Sequence, residues 1–220
     1  MAAHYHLYLA SRSPRRRELL KYVQIPFTVL PANIAETSTA RCPILKVRQI
    51  AQQKALAVAQ VLAKKGKHKK ADNIKKQIRS SLQPVIVAAD TMVILDRQIL
   101  GIPASLQDAQ KMLRKLSGRK HSVATGICLY LPQQDKMWVG VEISHVTFNK
   151  IGNDLLRPYL ATRESLDKAG AYGIQGAALT FIAKVQGSYS NVVGFPLDKF
   201  IMALKKFLAL PKDNWRRYFK

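Results

Sequence analysis

Hydrophobic positions along the chain follow two different periods. Between positions 47 and 62 apolar residues recur at helical spacing, which predicts a helix over residues 43–63. Residues 85–89 are instead a continuous apolar run, typical of a strand that is buried on both faces of a sheet. This run ends at Asp90, and residues 92–95 are predicted to return as a separate, paired strand.

The same pattern of hydrophobic and polar positions predicts the remaining elements. Further strands are predicted over residues 6–10, 27–30, 123–131, 138–148 and 178–185. Further helices are predicted over residues 14–23, 106–116, 154–161 and 197–208. Helices and strands intermix throughout and no internal repeat occurs, so the pattern indicates an α/β or α+β protein with a mixed sheet.

Composition excludes several classes of protein. With 48% hydrophobic residues, the 220-residue chain can bury a sizeable core, which excludes wholesale disorder. Cys42 and Cys128 are too few for a disulfide framework and fit a reducing compartment. No apolar run approaches the ~18 residues of a membrane helix. The N-terminus lacks the features of a signal peptide, so we expect a cytoplasmic protein without a membrane partner.

Charge is the unusual property, because 36 Lys and Arg against 13 acids give a net charge of +23. Such a field attracts polyanions, which include nucleic acids and nucleotides. Residues 64–79 hold eight cations and one acid, so we interpret residues 64–83 as a basic insertion, either a solvated surface or a polyanion patch. The C-terminal residues mix cations with Trp215, Tyr218 and Phe219, whose rings either stack on bases or dock on the domain.

The first candidate site lies between the first strand and the first helix. Ser13 is the expected N-cap and Pro14 the first helical residue. Because the N-terminus of a helix attracts anions, Arg15 and Arg16 oppose the helix dipole there. An anion would offset that cost, and guanidinium groups match phosphate geometry. We favour phosphate binding over the alternative of a basic surface turn.

Two further candidates follow from local chemistry. Asp90 and Thr91 come directly after the buried apolar run, where a carboxylate can hold Mg²⁺ or orient water; the alternative is an Asx turn. Residues 170–176 contain three glycines and Gln175, which suits reading a base edge, although a bulged turn explains them equally well. His121 and His145 are interpreted as structural.

Six segments together resemble one known family. They are LASRSPRRRELL at 9–20, AQQKA at 51–55, ADT at 89–91, MLRKLSGRKH at 112–121, DKAGAYGIQG at 167–176 and NVVGFPL at 191–197. In this order they resemble the Maf family of nucleoside triphosphate pyrophosphatases. The resemblance implies a two-lobed α/β, ITPase-like fold around a central cleft, spanning residues 1–210 as one domain and followed by a basic-aromatic tail at 211–220. It also implies a homodimer.

The resemblance further implies an activity and the residues that carry it. Members cleave a nucleoside triphosphate between its α- and β-phosphates with Mg²⁺ or Mn²⁺, which serves nucleotide-pool house-cleaning and is linked to cell-division arrest. The implied proton acceptor is Asp90, which also binds the metal together with Glu36. The implied phosphate-binding residues are Ser11, Ser13, Arg16 and Lys54. Base choice is assigned to Arg15, Thr91 and Gln175, as in the subfamily that prefers dTTP and UTP, with modified pyrimidine nucleotides as further candidates.

Three departures from the family pattern modify this expectation. Ile102 stands where the family usually has a lysine that faces the phosphates, and Ala35 replaces a common acid beside Glu36. The basic insertion lengthens a connection that is usually short. We therefore expect a weaker enzyme than its relatives. The alternative function is a catalytically weakened homologue that binds nucleic acid through the insertion.

Overall fold

A computed structural model describes residues 4–67 and 82–220 of the chain. Its strands form one mixed sheet in the order β2-β1-β3-β5-β6-β7, with β4 paired to β3. The strands are β1 (His4–Leu9), β2 (Phe27–Val29), β3 (Leu82–Leu95), β4 (Gln98–Leu100), β5 (Lys120–Leu131), β6 (Lys136–Phe148) and β7 (Ile182–Gln186). The α-helices are α1 (Pro14–Lys21), α2 (Pro43–Lys67), α3 (Leu106–Leu116), α4 (Asn153–Ala161), α5 (Tyr189–Val193) and α6 (Leu197–Phe207).

Strand β1 ends halfway along its neighbour β3, and this difference in length creates a crevice. The two strands pair in parallel only as far as Leu9 and Val87. Beyond this point β3 continues antiparallel to β5, while the chain after β1 turns away into α1. Ligands of open α/β sheets bind outside the carboxyl end of a parallel strand, which here is the end of β1.

The prediction of two strands at residues 85–89 and 92–95 is wrong. β3 runs unbroken through Asp90 and Thr91, which pair with Gly126 and Thr125 of β5. The ladder continues because strand residues use only their backbone for pairing, so a polar side chain can leave the sheet on one face without ending the strand. Asp90 therefore lies in the middle of a strand and not at its end.

Two large apolar clusters fill opposite ends of the molecule. The first packs α1 and α6 against the sheet and contains Leu20, Phe195 and Phe200. The second packs α3 and α4 against the other end and contains Phe148 and Phe181. A smaller cluster holds α2 on the opposite face of the sheet. The two clusters confirm the predicted two-lobed α/β fold with a mixed sheet.

Other segments differ in detail from prediction. Residues 177–181 form a 3-10 turn, so β7 begins at Ile182 rather than at position 178. Helix α5 was missed, although its Ser188 cap accepts a hydrogen bond from the Asn191 backbone N–H. Residues 68–81, most of the predicted basic insertion, lie outside the described residues. Within 4–67 and 82–220, no helix combines the length and apolar character needed to cross a membrane.

The C-terminal residues dock on the domain. Trp215 and Phe219 are buried in the first apolar cluster. Lys220 donates its backbone N–H to the Tyr5 carbonyl at 3.0 Å, beside a parallel bridge between Tyr5 and Phe219. The Arg216 Nε also donates to the Val23 carbonyl at 2.8 Å. The sequence left two alternatives for the C-terminal rings, stacking on bases or docking on the domain. The structure supports docking of Trp215 and Phe219, whose rings are not free to stack on bases.

Candidate active site

A cavity of about 750 Å³ opens between the two lobes at the end of β1. Its walls come from the β1–α1 turn, residues 32–36, α2, the middle of β3, residues 164–176 and residues 192–194. The structure brings all nine predicted site residues to this one cavity: Ser11, Ser13, Arg15, Arg16, Glu36, Lys54, Asp90, Thr91 and Gln175. The fold therefore brings residues that are up to 164 positions apart in the sequence to the walls of the same cavity.

A buried ion pair lies at the floor of the cavity. The Lys54 ammonium is 2.8 Å from Asp90 Oδ1 and 2.8 Å from Glu36 Oε1. Lys54 and Asp90 are each only 6% exposed, whereas Glu36 is open to solvent. Burial raises the pKa of Asp90 above its ordinary value, although the charge and hydrogen bond of Lys54 act in the opposite direction. Two carboxylates thus share one ammonium, which leaves this group of three with a net negative charge.

Local packing explains why Lys54 reaches Asp90. Helix α2 crosses β5 at Gly126, the residue paired with Asp90. A Cβ atom on Gly126 would lie 2.4 Å from the Val47 carbonyl oxygen, so only glycine allows α2 to approach this closely. Lys54 lies two helical turns after Val47 and extends from α2 toward β3.

The two serines of the β1–α1 turn accept hydrogen bonds from the start of α1, and the predicted N-cap role of Ser13 is confirmed. The Ser13 hydroxyl oxygen accepts from the Arg16 backbone N–H at 3.4 Å and caps α1. The Ser11 hydroxyl oxygen accepts from the Ser13 backbone N–H at 3.2 Å and from Arg16 Nη1 at 3.4 Å. Because the oxygen of Ser11 accepts both bonds, its O–H proton is the part that can serve an anion.

Arg16 ties three parts of the fold together. Its Nε donates to the Gly194 carbonyl at 2.9 Å, and its Nη1 to the Ala89 carbonyl at 2.8 Å. Its Nη2 donates to Thr91 Oγ1 at 3.0 Å. With the bond to Ser11, four of its five N–H groups have protein acceptors. The phosphate-binding role of Arg16 stays a prediction, and this geometry also makes it a clamp on both sides of Asp90.

The three residues assigned to base choice have different surroundings. Thr91 Oγ1 lies 2.9 Å from Thr125 Oγ1 and 3.3 Å from the Gly194 carbonyl oxygen, inside a hydrogen-bonded network. Arg15 spans the cavity to the other lobe, where it donates to the Asp167 carboxylate at 3.0 Å. Gln175 is exposed at the cavity wall.

Sequence reasoning missed several residues that line the cavity. Asp167 and Lys168 lie inside a matching segment but received no role, and the rarity of acids in this chain was a signal for Asp167. Arg12 also lines the cavity, and it hydrogen-bonds to the Asn33 side chain.

Ile102 is 63% exposed on the wall, where it offers phosphate no hydrogen bond or charge.

A comparison with known families agrees with this arrangement. The sequence model described as "Maf-like protein" matches residues 6–207. The chain belongs to the Maf family. The match includes every residue of the cavity wall.

Three curated relatives of this Maf protein carry the same name. A protein of Pyrococcus abyssi named dTTP/UTP pyrophosphatase is 43% identical over 198 residues, 90% of this chain and 94% of the relative. Proteins with the same name from Pyrococcus horikoshii and Aquifex aeolicus are 43% and 34% identical, covering 93% and 92% of this chain and 97% and 95% of their own. Among solved structures, a HAM1 protein from Coxiella burnetii has a TM-score of 0.48 at 16% identity, over 92% of this chain and 99% of its own.

Proposed function

We propose that this Maf protein hydrolyses dTTP and UTP to the nucleoside monophosphate and pyrophosphate. The observation that carries the proposal is the buried Asp90–Lys54 pair, 2.8 Å apart, on the floor of a cavity that also receives the N-terminus of α1. The name shared by relatives that align over most of their length supports the same substrates.

The chemistry follows from the positions of the side chains. Asp90 accepts a proton from the attacking water, whose oxygen bonds to the α-phosphorus. The bond from that phosphorus to the bridging oxygen breaks, and its electron pair leaves with pyrophosphate. Lys54 favours the ionised form of Asp90, because its charge and hydrogen bond offset part of the cost of burial. The Ser11 O–H donates a hydrogen bond to a phosphate oxygen, and the N-terminus of α1 offsets part of the phosphate charge, since phosphoryl transfer depends mainly on positioning and charge stabilisation.

A divalent cation fits the donor set that Glu36 and Asp90 supply. Both carboxylates contact the same ammonium nitrogen at 2.8 Å, so they lie close enough together to share one small cation beside Lys54. Among the residues that the structure describes, no group of three or more His, Cys, Asp or Glu side chains is arranged to hold a metal. Mg²⁺ commonly uses one or two carboxylates together with substrate phosphates, and Mn²⁺ suits the same oxygen ligands. When bound, the metal would neutralise phosphate charge and acidify the attacking water.

Base choice is proposed to lie at the opposite end of the cavity. Arg15 is held from the far lobe by Asp167, and Gln175 is free to present its amide to a pyrimidine edge. Thr91 connects this end to Arg16. Modified pyrimidine nucleotides would use the same contacts.

Several predictions from sequence depend on the same proposal. A house-cleaning role, a link to cell-division arrest, a cytoplasmic location and a homodimer all remain predictions. The alternative of a nucleic-acid-binding module that has lost catalysis is not supported. The relatives reported above carry the name of an enzyme, and Asp90, Lys54 and Glu36 are all present in contact.

Product analysis tests the proposed function directly. The protein is incubated separately with each nucleoside triphosphate and Mg²⁺ or Mn²⁺, and the products are separated by ion-exchange chromatography. We expect dTMP and pyrophosphate from dTTP, UMP and pyrophosphate from UTP, and lower rates with purine nucleotides. Release of a nucleoside diphosphate with inorganic phosphate would place the cleavage at the wrong bond and contradict the proposal.

A further inference from the structure

Most of the charged side chains that line the cavity are paired with one another. Five cations, Arg12, Arg15, Arg16, Lys54 and Lys168, face four acids there. Lys54 pairs with Glu36 and Asp90, while Arg15 and Lys168 pair with Asp167.

Arg12 differs from the other cations of the cavity. Within the described part of the chain it forms no ion pair, and its one hydrogen bond is to the neutral Asn33 side chain. Arg16 also lacks an ion pair there, but its donors are nearly all engaged by carbonyl and hydroxyl groups. Arg12 is exposed and lines the cavity, so the donors that do not bond to Asn33 are accessible to a ligand. It is therefore the cation best placed to bind an anionic ligand.

The direction of the Arg12 side chain, compared with that of Arg15, indicates which part of a ligand Arg12 contacts. Arg15 reaches across the cavity to Asp167, toward the end where Gln175 lies. Arg12 reaches instead to Asn33, on the same loop as Glu36. A nucleotide whose base lies near Arg15 and whose α-phosphate lies near Asp90 would extend its remaining phosphates toward Arg12.

We propose that Arg12 binds the β- and γ-phosphates of the substrate and then the leaving pyrophosphate. The inference rests on the proposed function, which supplies the triphosphate substrate. A guanidinium group can donate two parallel hydrogen bonds to phosphate oxygens, and its hydrogen bond to Asn33 orients it in advance. Arg12 thereby supplies positive charge that no acidic side chain of the cavity neutralises.

Calorimetric titration with pyrophosphate and Mg²⁺ tests the inference without turnover. Arg12→Gln should weaken pyrophosphate binding about ten- to hundredfold, the loss expected for a charge-assisted phosphate contact. It should raise KM for dTTP by a similar factor, and leave inhibition by dTMP unchanged. Arg12→Lys, which keeps the charge but loses the paired donors, should fall between Arg12→Gln and the wild type.

Two control variants separate this role from indirect effects. Arg17→Gln removes the same charge from an exposed residue of α1 outside the cavity wall, and should change pyrophosphate binding less than threefold. Asn33→Ala removes the partner of Arg12 but keeps the cation, and should also have a small effect. If either control weakens binding as much as Arg12→Gln, a general field or a displaced loop explains the loss and the inference is overturned.

The outcomes also separate the inference from the proposed function. If the wild type releases no pyrophosphate from dTTP, the proposed function fails whatever the binding data show. If the wild type turns over dTTP but Arg12→Gln binds pyrophosphate as tightly as the wild type, only the role of Arg12 is overturned. Absence of pyrophosphate binding by an active wild type would overturn it as well.

Discussion

Lys54 Nζ lies 2.8 Å from Asp90 Oδ1, and both residues are buried. An isolated buried charge is costly, so each member of the pair makes the presence of the other tolerable. Asp90 projects from the sheet and Lys54 from α2, and the contact therefore links the position of the proposed catalytic carboxylate to the packing of that helix.

Removing only one member of this pair should destabilise the fold. At pH 8 we expect Lys54→Met to lower the free energy of unfolding by about 3–5 kcal/mol, because Asp90 would remain ionised or take up a proton at a cost. Adding Asp90→Asn should restore at least half of the loss. Urea unfolding of the two single variants and the double variant measures the coupling. Strictly additive effects would contradict a direct interaction.

The ion pair between Arg15 and Asp167 should affect base choice more than stability. Partial burial acts to raise the pKa of Asp167, but hydrogen bonds from Lys168 and Arg15 outweigh it and hold the pKa below its ordinary value. Asp167→Asn should reduce discrimination between dTTP and CTP about three- to tenfold, and change the free energy of unfolding by no more than about 1 kcal/mol. The measurement is the ratio of kcat/KM values.

A matched control for this variant lies outside the cavity wall. Asp96 forms an exposed ion pair with Arg119, so Asp96→Asn removes a similar contact. It should leave the ratio of kcat/KM values unchanged. If the ratio of kcat/KM values for dTTP and CTP is the same in the wild type and in Asp167→Asn, the ion pair with Asp167 does not contribute to base choice and this prediction is wrong.

Ile102 is predicted to limit the charge available to the phosphates, because it lines the cavity without a charge. Ile102→Lys should raise kcat/KM for dTTP by about one to two decades, since a charge-assisted contact is worth about 1.5–3 kcal/mol. The control is Met202→Lys, which replaces an apolar residue that is 74% exposed on α6. No rise with Ile102→Lys, or an equal rise with both variants, would refute this role for position 102.

His121 should make the fold sensitive to mild acid. Burial lowers its pKa from 6.5 to about 4, a shift that the backbone of Arg119 opposes and His145 reinforces. Its Nε2 lies 2.7 Å from the Tyr172 hydroxyl in the cavity wall. Below pH 6.5 the unfolded chain takes up a proton that the folded chain refuses. Stability is therefore complete above pH 6.5 and decreases by up to about 3 kcal/mol as the pH falls to 4.

His121→Gln isolates this contribution from other titrating groups. The variant should lose less stability than the wild type between pH 6.5 and 4, although its stability at pH 7.5 should be lower because of altered packing. Thermal unfolding across this pH range gives the difference. Parallel curves for the two proteins would contradict a proton linkage at His121.

Local signals in the sequence were enough to predict most elements. The helical period and the Ser13 cap predicted α2 and α1 correctly, because both features act within a few residues. The break at Asp90 was wrong because a strand can carry a polar side chain toward a cavity without losing its pairing. The 3-10 turn before β7 depends on tertiary packing, which periodicity does not report.

The cavity could be predicted only in part from local chemistry. Arg15 and Arg16 could be proposed from a strand–turn–helix pattern, and Asp90 from its position after an apolar run. Lys54 and Glu36 carry no local signature, and only the resemblance to a family singled them out. The ion pair between Arg15 and Asp167 joins residues that are 152 positions apart, so it could be recognised only in the folded structure, where the two lobes face each other.

The central claim is that Asp90 accepts the proton of the attacking water in a nucleoside triphosphate pyrophosphatase. The most direct measurement is pyrophosphate release from dTTP with Mg²⁺ by Asp90→Asn, beside the wild type and the exposed control Asp135→Asn. We predict a fall in kcat of about a hundred- to ten-thousandfold for Asp90→Asn and no change for the control. If Asp90→Asn releases pyrophosphate with the kcat of the wild type, the claim is contradicted.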